Sequence, residues 1–196
     1  MYKINVTTIC FKDYEKTPDD FLNQFNFLIL GGCDAVCYLK DKYFSQKSSQ
    51  KIVNFYSMKN GVILLLHDIC YFQCLSPLYK LLGVTGNSKK GFITEVSFNT
   101  ECEKLDIITS PFVVGTSFEI SETHQCTELN SKCTVLSSSN GESVGDHYYS
   151  ENLKENIAEC SMSHTSSLTV PEKKFICNAV CHLFNHYQAS MKLINK

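Results

Sequence analysis

Three residues that could form a nucleophilic site stand close together in the sequence. His67, Asp68 and Cys70 come directly after the apolar run Leu64-Leu65-Leu66. This run predicts a central strand, and ligand sites in α/β sheets lie at the carboxyl ends of such strands. A thiol, a histidine base and a carboxylate could perform nucleophilic catalysis if their side chains converged. Adjacent residues of a strand point to opposite faces, however, which favours a strand end with a hydrogen-bonded histidine.

A second group of ligand-type residues lies near the C-terminus, in Cys177-x3-Cys181-His182-x3-His186. At about 100° per residue, His182 and His186 lie roughly 140–180° from Cys177 on a helix, so one helix cannot direct all four at one ion. The two histidines alone could supply half of a metal site, but they lack the glutamate of His-Glu-x-x-His. The geometry therefore favours a solvated polar face without metal.

Other spacings suggest structure rather than chemistry. Three intervening residues place two cysteines on one face of a helix. Zinc ligands on a turn usually have two residues between them. We therefore expect buried helical pairs at the three Cys-x3-Cys spacings, Cys33/Cys37, Cys70/Cys74 and Cys177/Cys181. The stretch 83–91 lacks the Gly-x4-Gly-Lys-Ser/Thr spacing of a phosphate loop and follows a predicted helix. We predict no bound cofactor.

The composition limits the class of partner. All eighteen basic residues are lysine, and the net charge is −2. Because arginine is the usual residue for bidentate contacts with phosphate and guanine, sequence-specific binding of nucleic acid is not expected. Eleven cysteines without a secretory signal predict reduced thiols in the cytoplasm or nucleus. No apolar run is long enough to span a membrane.

Hydrophobic periodicity predicts the elements of the first half. Tyr2 to Cys10 alternates like a half-buried strand, Thr17-Pro18-Asp19-Asp20 opens a short helix, and Phe27 to Leu30 precedes Gly31 as a buried strand. Cys33 to Phe44 predicts a second helix. Two apolar runs, Ile52 to Tyr56 and Val62 to Leu66, flank Asn60-Gly61, which is a strong signal for a hairpin.

Helix and strand signals continue to residue 120. Ile69 to Leu82 predicts a helix that Pro77 kinks or restarts and that Gly83 ends. Three further strands are predicted, at 92–98, 105–108 and 112–120.

The composition changes at Ser121. Residues 121–168 are rich in Ser, Thr, Asn and Glu, and their sparse apolar residues have no period, which predicts a long flexible loop. Thr169-Val170-Pro171-Glu172 then forms a capping box, and a helix follows. Its predicted apolar face consists of Ile176, Val180, Leu183, Phe184, Tyr187 and Met191. Leu183, Phe184 and Tyr187 are expected to contact either the body of the protein or a partner.

These observations predict a mixed α/β protein, with an α+β arrangement as the alternative. Residues 1–120 form the body, with a single sheet of about five to seven strands and flanking helices. Residues 121–168 form a flexible polar insertion, and 169–196 form a helix that packs on the body. The favoured function is a non-enzymatic interaction module, an adaptor or a subunit of a larger complex whose partners are other proteins. The alternative is a hydrolase or transferase that uses His67, Asp68 and Cys70.

Overall fold

A seven-stranded mixed sheet flanked by helices organises the chain, which confirms the predicted class. This computed structural model describes residues 4–31, 45–59, 61–66, 69, 76–98, 111–112, 116–129, 134–139, 146–152, 156–162 and 167–194. The strands are β1 (Phe27–Leu30), β2 (Val62–Leu65), β3 (Val84–Phe98), β4 (Ser117–Leu129), β5 (Thr134–Ser139), β6 (Asp146–Glu151) and β7 (Ile157–Cys160). The helices are α1 (Phe11–Tyr14), a 3-10 helix (Phe21–Gln24), α2 (Gln46–Lys59), α3 (Ser76–Leu82) and α4 (Val170–Ile194).

The sheet has a parallel half and an antiparallel half. Its spatial order is β1-β2-β7-β6-β4-β3-β5, with a further pairing between β5 and β6. Strands β1, β2 and β7 are parallel to one another, and the remaining pairs are antiparallel. The carboxyl ends of β1, β2 and β7 therefore lie along one edge of the sheet.

Strand β2 separates two hydrophobic cores. Val62 and Leu64 pack on the face that α4 covers, together with Phe175 and Leu183. The alternate residues belong to a second core on the other face, which includes Ile52 and Phe55 of α2 and Leu78 and Leu82 of α3. All four residues of β2 are buried because helices cover both faces, which explains its continuous apolar sequence.

Several local signals were interpreted correctly. The strands predicted around Phe27 to Leu30 and Val62 to Leu66 are present as β1 and β2. A helix begins at Ser76, so that Pro77 lies in its first turn, where its missing N–H costs nothing. Gly83 follows this helix with a φ of 76°, a conformation that glycine adopts without strain. Helix α4 is the longest described, and no helix in the described ranges is long and apolar enough to cross a membrane.

The predicted hairpin around Asn60-Gly61 is wrong. Its first arm belongs to helix α2, and β2 pairs in parallel with β1 and β7 instead. Ile52, Phe55 and Tyr56 are spaced by three and four residues, which suits one face of a helix. Gly61 follows the helix, and a Cβ there would overlap the ring of Phe55. The glycine therefore permits close packing rather than a hairpin turn.

The predicted strand at the N-terminus is also wrong, and the short predicted helix begins later than Thr17. Residues 4–10 form no strand and are exposed throughout. The Thr17 hydroxyl donates a hydrogen bond to Tyr14 O (2.7 Å) and caps no helix, and a 3-10 helix begins only at Phe21. The predicted helix Cys33 to Phe44 and the predicted strand 105–108 lie outside the described residues.

The expectation of a flexible polar loop over 121–168 is wrong for its described residues. Strand β4 continues to Leu129, and β5, β6 and β7 follow. Strand β7 lies between β2 and β6 in the middle of the sheet. Tyr148, Tyr149 and Ile157 are at most 1% exposed. The segment therefore supplies part of the core.

Candidate functional site

The predicted trio His67, Asp68 and Cys70 lies outside the described residues. The structure does describe strand β2, which precedes the trio, and helix α3, which follows it. Strand β2 ends at Leu65, and the backbone N–H of Leu66 donates to Leu30 O at 2.9 Å. Ile69 is 1% exposed, and its N–H donates to Leu66 O at 3.2 Å. The Tyr79 hydroxyl of α3 donates to Ile69 O. The chain therefore leaves β2 at the carboxyl edge of the parallel strands, as the sequence predicted.

A buried carboxylate lies at the same edge. Glu159 of β7 is the register partner of Leu65 in β2 and of Ser150 in β6. Its side chain is 1% exposed, and its carboxylate accepts a hydrogen bond from the Ser161 hydroxyl at 2.9 Å. Ser150 is fully buried, and its Oγ has no hydrogen-bond partner in the described part of the chain. The last residue of β2 therefore borders a polar row inside the sheet.

Sequence reasoning missed Glu159 because it lies in the segment predicted to be a flexible loop. The run Ile157-Ala158-Glu159-Cys160 is the signal that could have located it. Three small or apolar residues around one acid are consistent with a short buried strand, but a run of four residues carries little periodicity.

A second buried polar group joins helix α4 to β6. His182 Nε2 lies 3.1 Å from Glu151 Oε2, and the two side chains are 8% and 1% exposed. The Tyr149 hydroxyl donates to the same carboxylate oxygen at 3.3 Å. The expectation that His182 lies on a solvated face is therefore wrong. His186, the other predicted half of a metal site, is half-buried, and no three metal-binding side chains cluster among the described residues.

Glu172 forms a third buried polar contact. Thr169 Oγ1 accepts from Glu172 N at 3.1 Å, which is one half of the predicted capping box. The carboxylate does not complete the box; it accepts from Ser121 N at 2.9 Å and from the Tyr148 hydroxyl at 2.7 Å. Glu172 is fully buried. One side chain therefore connects the first turn of α4 to both β4 and β6.

Burial makes the groups around Glu172 poor acids. Burial, followed by the nearby Cys160 and Glu172, raises the pKa of Tyr148 well above its usual value. Burial, followed by the charge of Glu159, likewise raises the pKa of the Cys160 thiol. A thiol is nucleophilic as the thiolate, so Cys160 is an inert core residue rather than a catalytic one.

The described cysteines of the Cys-x3-Cys pairs do not lie where they were expected. Cys177 and Cys181 of α4 are free and exposed rather than buried. Cys10 is also exposed, and its Sγ donates to Asp13 Oδ2 at 3.1 Å. The pairs Cys33/Cys37 and Cys70/Cys74 lie outside the described residues.

The three residues proposed for partner contact mostly face the protein's own core. Leu183 is fully buried, and Tyr187 is 8% exposed. Tyr187 OH also accepts a hydrogen bond from Asn26 Nδ2 at 2.8 Å. Phe184 is half-buried beside them. Of the two alternatives that the sequence left open, the body is the surface that Leu183 and Tyr187 contact.

Comparisons with known proteins support the fold. No family model matches the chain, and no curated protein matches it significantly. A solved structure from Thermoplasma acidophilum, named as a GMP synthase subunit, has a TM-score of 0.54 and 12% sequence identity. The likeness covers 92% of this chain and 83% of that chain. At this identity the comparison establishes a similar fold.

Proposed function

We propose that this chain is a non-enzymatic interaction module, an adaptor or a subunit of a larger protein complex. The observation that carries the proposal is the exposed segment 4–10. Ile4, Val6 and Ile9 of this segment are 68%, 81% and 38% exposed. Single exposed apolar residues are ordinary, but several in one short segment are typical of a contact surface. The structural neighbour is itself named as a subunit.

The proposed partners are other proteins. The net charge of −2 and the absence of arginine disfavour a nucleic-acid partner. The free thiols of Cys10, Cys177 and Cys181 suit the reducing conditions of the cytoplasm or nucleus, which we propose as the location.

Affinity purification of the intact, tagged chain from its own cells tests this proposal. The expected result is recovery of one or more proteins in fixed proportion to the bait. A matched bait carries Val6→Lys, which places a charge in the exposed segment and should reduce that recovery. Unchanged recovery with Val6→Lys, or the absence of any stoichiometric protein, would contradict the proposal.

A second candidate function has support from the carboxyl edge of the parallel strands. We propose as the alternative a hydrolase or transferase that uses Cys70 as its nucleophile. Cys70 follows β2 by five residues, and the buried carboxylate of Glu159 lies in register with the last residue of that strand. Buried carboxylates that orient a histidine are a recurring part of thiol and serine catalysis. His67, and His164 four residues after β7, are the candidate bases.

The proposed reaction is acyl transfer. The Cys70 thiolate would attack a carbonyl carbon, and the histidine that took the thiol proton would pass it to the leaving group. Water would then hydrolyse the thioester and regenerate the thiol. Asp68 or Glu159 would hold the histidine in the correct orientation.

Alkylation kinetics separate the two functions. If Cys70 is activated, iodoacetamide at pH 7 should modify it at least about tenfold faster than the exposed thiols of the same chain, because an ordinary thiol is only a few per cent ionised there. Glu159→Gln and His164→Asn should reduce that advantage, while Cys177→Ser provides the matched control. If Cys70 reacts no faster than Cys177, the catalytic alternative is wrong.

A further inference from the structure

Strand β1 is the end strand of the sheet in the described chain. One of its edges pairs with β2 along all four residues, from Phe27↔Val62 to Leu30↔Leu65. Val62 N–H donates to Asn26 O and Leu66 N–H donates to Leu30 O, so the backbone groups of Phe27 and Ile29 point away from β2. Within the described ranges no strand pairs with this outer edge.

The composition of β1 does not protect that edge. Natural edge strands usually carry a lysine, a proline or a bulge that prevents further pairing. Strand β1 reads Phe-Leu-Ile-Leu and has none of these. Ile29, whose backbone groups point outward, is also 50% exposed. This edge is therefore suited to accept another strand.

The segment 4–10 of the same chain has the complementary property. Its sequence, Ile-Asn-Val-Thr-Thr-Ile-Cys, is uncharged and rich in β-branched residues, which favour strands. It ends in extended backbone at Cys10, with φ −78° and ψ 154°. Yet it pairs with no strand in the part of the chain that the structure describes, and all seven residues are exposed.

In this structure the segment does not pair with its own β1. It runs directly into α1, whose Tyr14 is buried and donates a hydrogen bond through its hydroxyl to Ser48 O of α2 at 3.1 Å. Glu15, which follows α1, accepts from Ser45 N just before α2. These contacts fix the end of α1 beside α2, on the face opposite α4.

We propose that two copies of this chain associate by exchanging segment 4–10, so that each segment adds a strand to the outer edge of β1 in the other copy. Both elements are uncharged, so no charge repulsion opposes their pairing. Each copy donates one segment and accepts one, so the contact closes as a two-fold dimer rather than extending into a fibre. The inference rests on the proposed function in that both treat segment 4–10 as an interaction element, but it names a second copy as the occupant.

Photo-cross-linking in a mixture of unlabelled and isotope-labelled copies of the chain tests the exchange. The full chain carries benzoylphenylalanine in place of Ile29, and unlabelled and ¹⁵N-labelled copies are mixed before irradiation. Mass spectrometry should find residue 29 joined to segment 4–10 in pairs of mixed isotope composition, and light scattering should give twice 22.2 kDa for the unsubstituted chain. If every cross-linked pair has a single isotope composition, the segment docks on its own β1 and the proposal is overturned, as it would be by a monomer or by cross-links elsewhere.

A pair of charge substitutions provides the control. Ile29→Lys should convert the dimer to a monomer, whereas Leu81→Lys, at a similarly exposed position on α3 (47%), should leave it intact. Both positions are exposed, so both variants should remain folded, although the loss of association in Ile29→Lys should lower its melting temperature. A dimer that survives Ile29→Lys overturns the exchange. A monomeric chain that still captures other proteins through segment 4–10 also overturns it, while leaving the proposed function in place.

Discussion

Truncation of Glu172 gives the sharpest test of how the C-terminal helix is held. Glu172→Ala removes the carboxylate that accepts from Ser121 N and from the Tyr148 hydroxyl. Both donors would remain buried, because Ser121 is 9% exposed and Tyr148 is 1% exposed. The substitution therefore exposes the cost of unpaired donors inside the core, in addition to the lost packing.

The expected loss of stability is large. A buried polar group left without its partner costs about 1–3 kcal/mol, and two donors lose their acceptor here. Two such penalties, together with the lost packing of the side chain, lead us to expect a loss of about 3–5 kcal/mol for Glu172→Ala. Glu172→Gln keeps the volume and one acceptor oxygen, so about 1–3 kcal/mol is expected.

Urea unfolding followed by circular dichroism measures these losses. With a denaturant slope of about 2 kcal/mol per molar, the midpoint of Glu172→Ala should fall by about 1.5–2.5 M. The exposed neighbour Lys174 supplies the control, because Lys174→Ala should change stability by less than about 0.5 kcal/mol. If Glu172→Ala behaves like Lys174→Ala, or if Gln is as damaging as Ala, the contact does not hold the helix as described.

Three further outcomes are expected. Gly61→Ala should lower the free energy of unfolding by about 1–3 kcal/mol, because the new Cβ would overlap the ring of Phe55. Adding Phe55→Leu to the Gly61→Ala variant should restore part of the lost melting temperature. If it restores none, this clash is not the cause. Burial opposes ionisation of Glu15, but hydrogen bonds from Ser45 outweigh it and hold the pKa of Glu15 below 4.5. The free energy of unfolding should therefore fall as the pH drops below about 4.5, and it should fall less steeply in Glu15→Gln. Parallel pH profiles for the two proteins would refute this. Cys160 should resist iodoacetamide in the folded chain and react after denaturation, since burial raises its pKa; rapid labelling in the native state would contradict its place in the core.

The sequence predicted correctly those elements whose local residues are compatible with only one structure. Pro77 and Gly83 bound helix α3 because one residue lacks an N–H and the other adopts positive φ. The apolar run of β2 predicted a strand covered on both faces. The carboxyl end of β2 was located correctly for the same reason.

The errors arose where one pattern fits two structures. The spacing of Ile52, Phe55 and Tyr56 fits a helix face, but the apolar run followed by Asn-Gly suggested a hairpin. Tertiary pairing of β2 with distant strands decided between them. A hairpin signal within one segment carries no information about such long-range partners.

Buried polar residues caused the remaining errors. Glu151, Glu159 and Ser161 gave the region after residue 121 a polar sequence, but all three are buried in the sheet. Tyr149 donates a hydrogen bond to Glu151, and Ser161 donates one to Glu159. The predicted helical period of α4 was correct. Its buried face also includes Glu172 and His182, which a prediction from apolar residues alone leaves out. Partners that satisfy a buried charge come from other elements and cannot be inferred from its own segment.

The position of β7 has a consequence for synthesis of the chain. It pairs with β2, 94 residues earlier, and it separates β2 from the antiparallel half of the sheet. At about 5–20 residues per second, a ribosome needs roughly 5–20 seconds to reach β7 after completing β2. During that interval β2, which consists of apolar residues alone, lacks its neighbour on one side. Nascent chains should therefore depend on chaperones until the last quarter of the sequence emerges, and non-local pairing of this kind should make refolding slow.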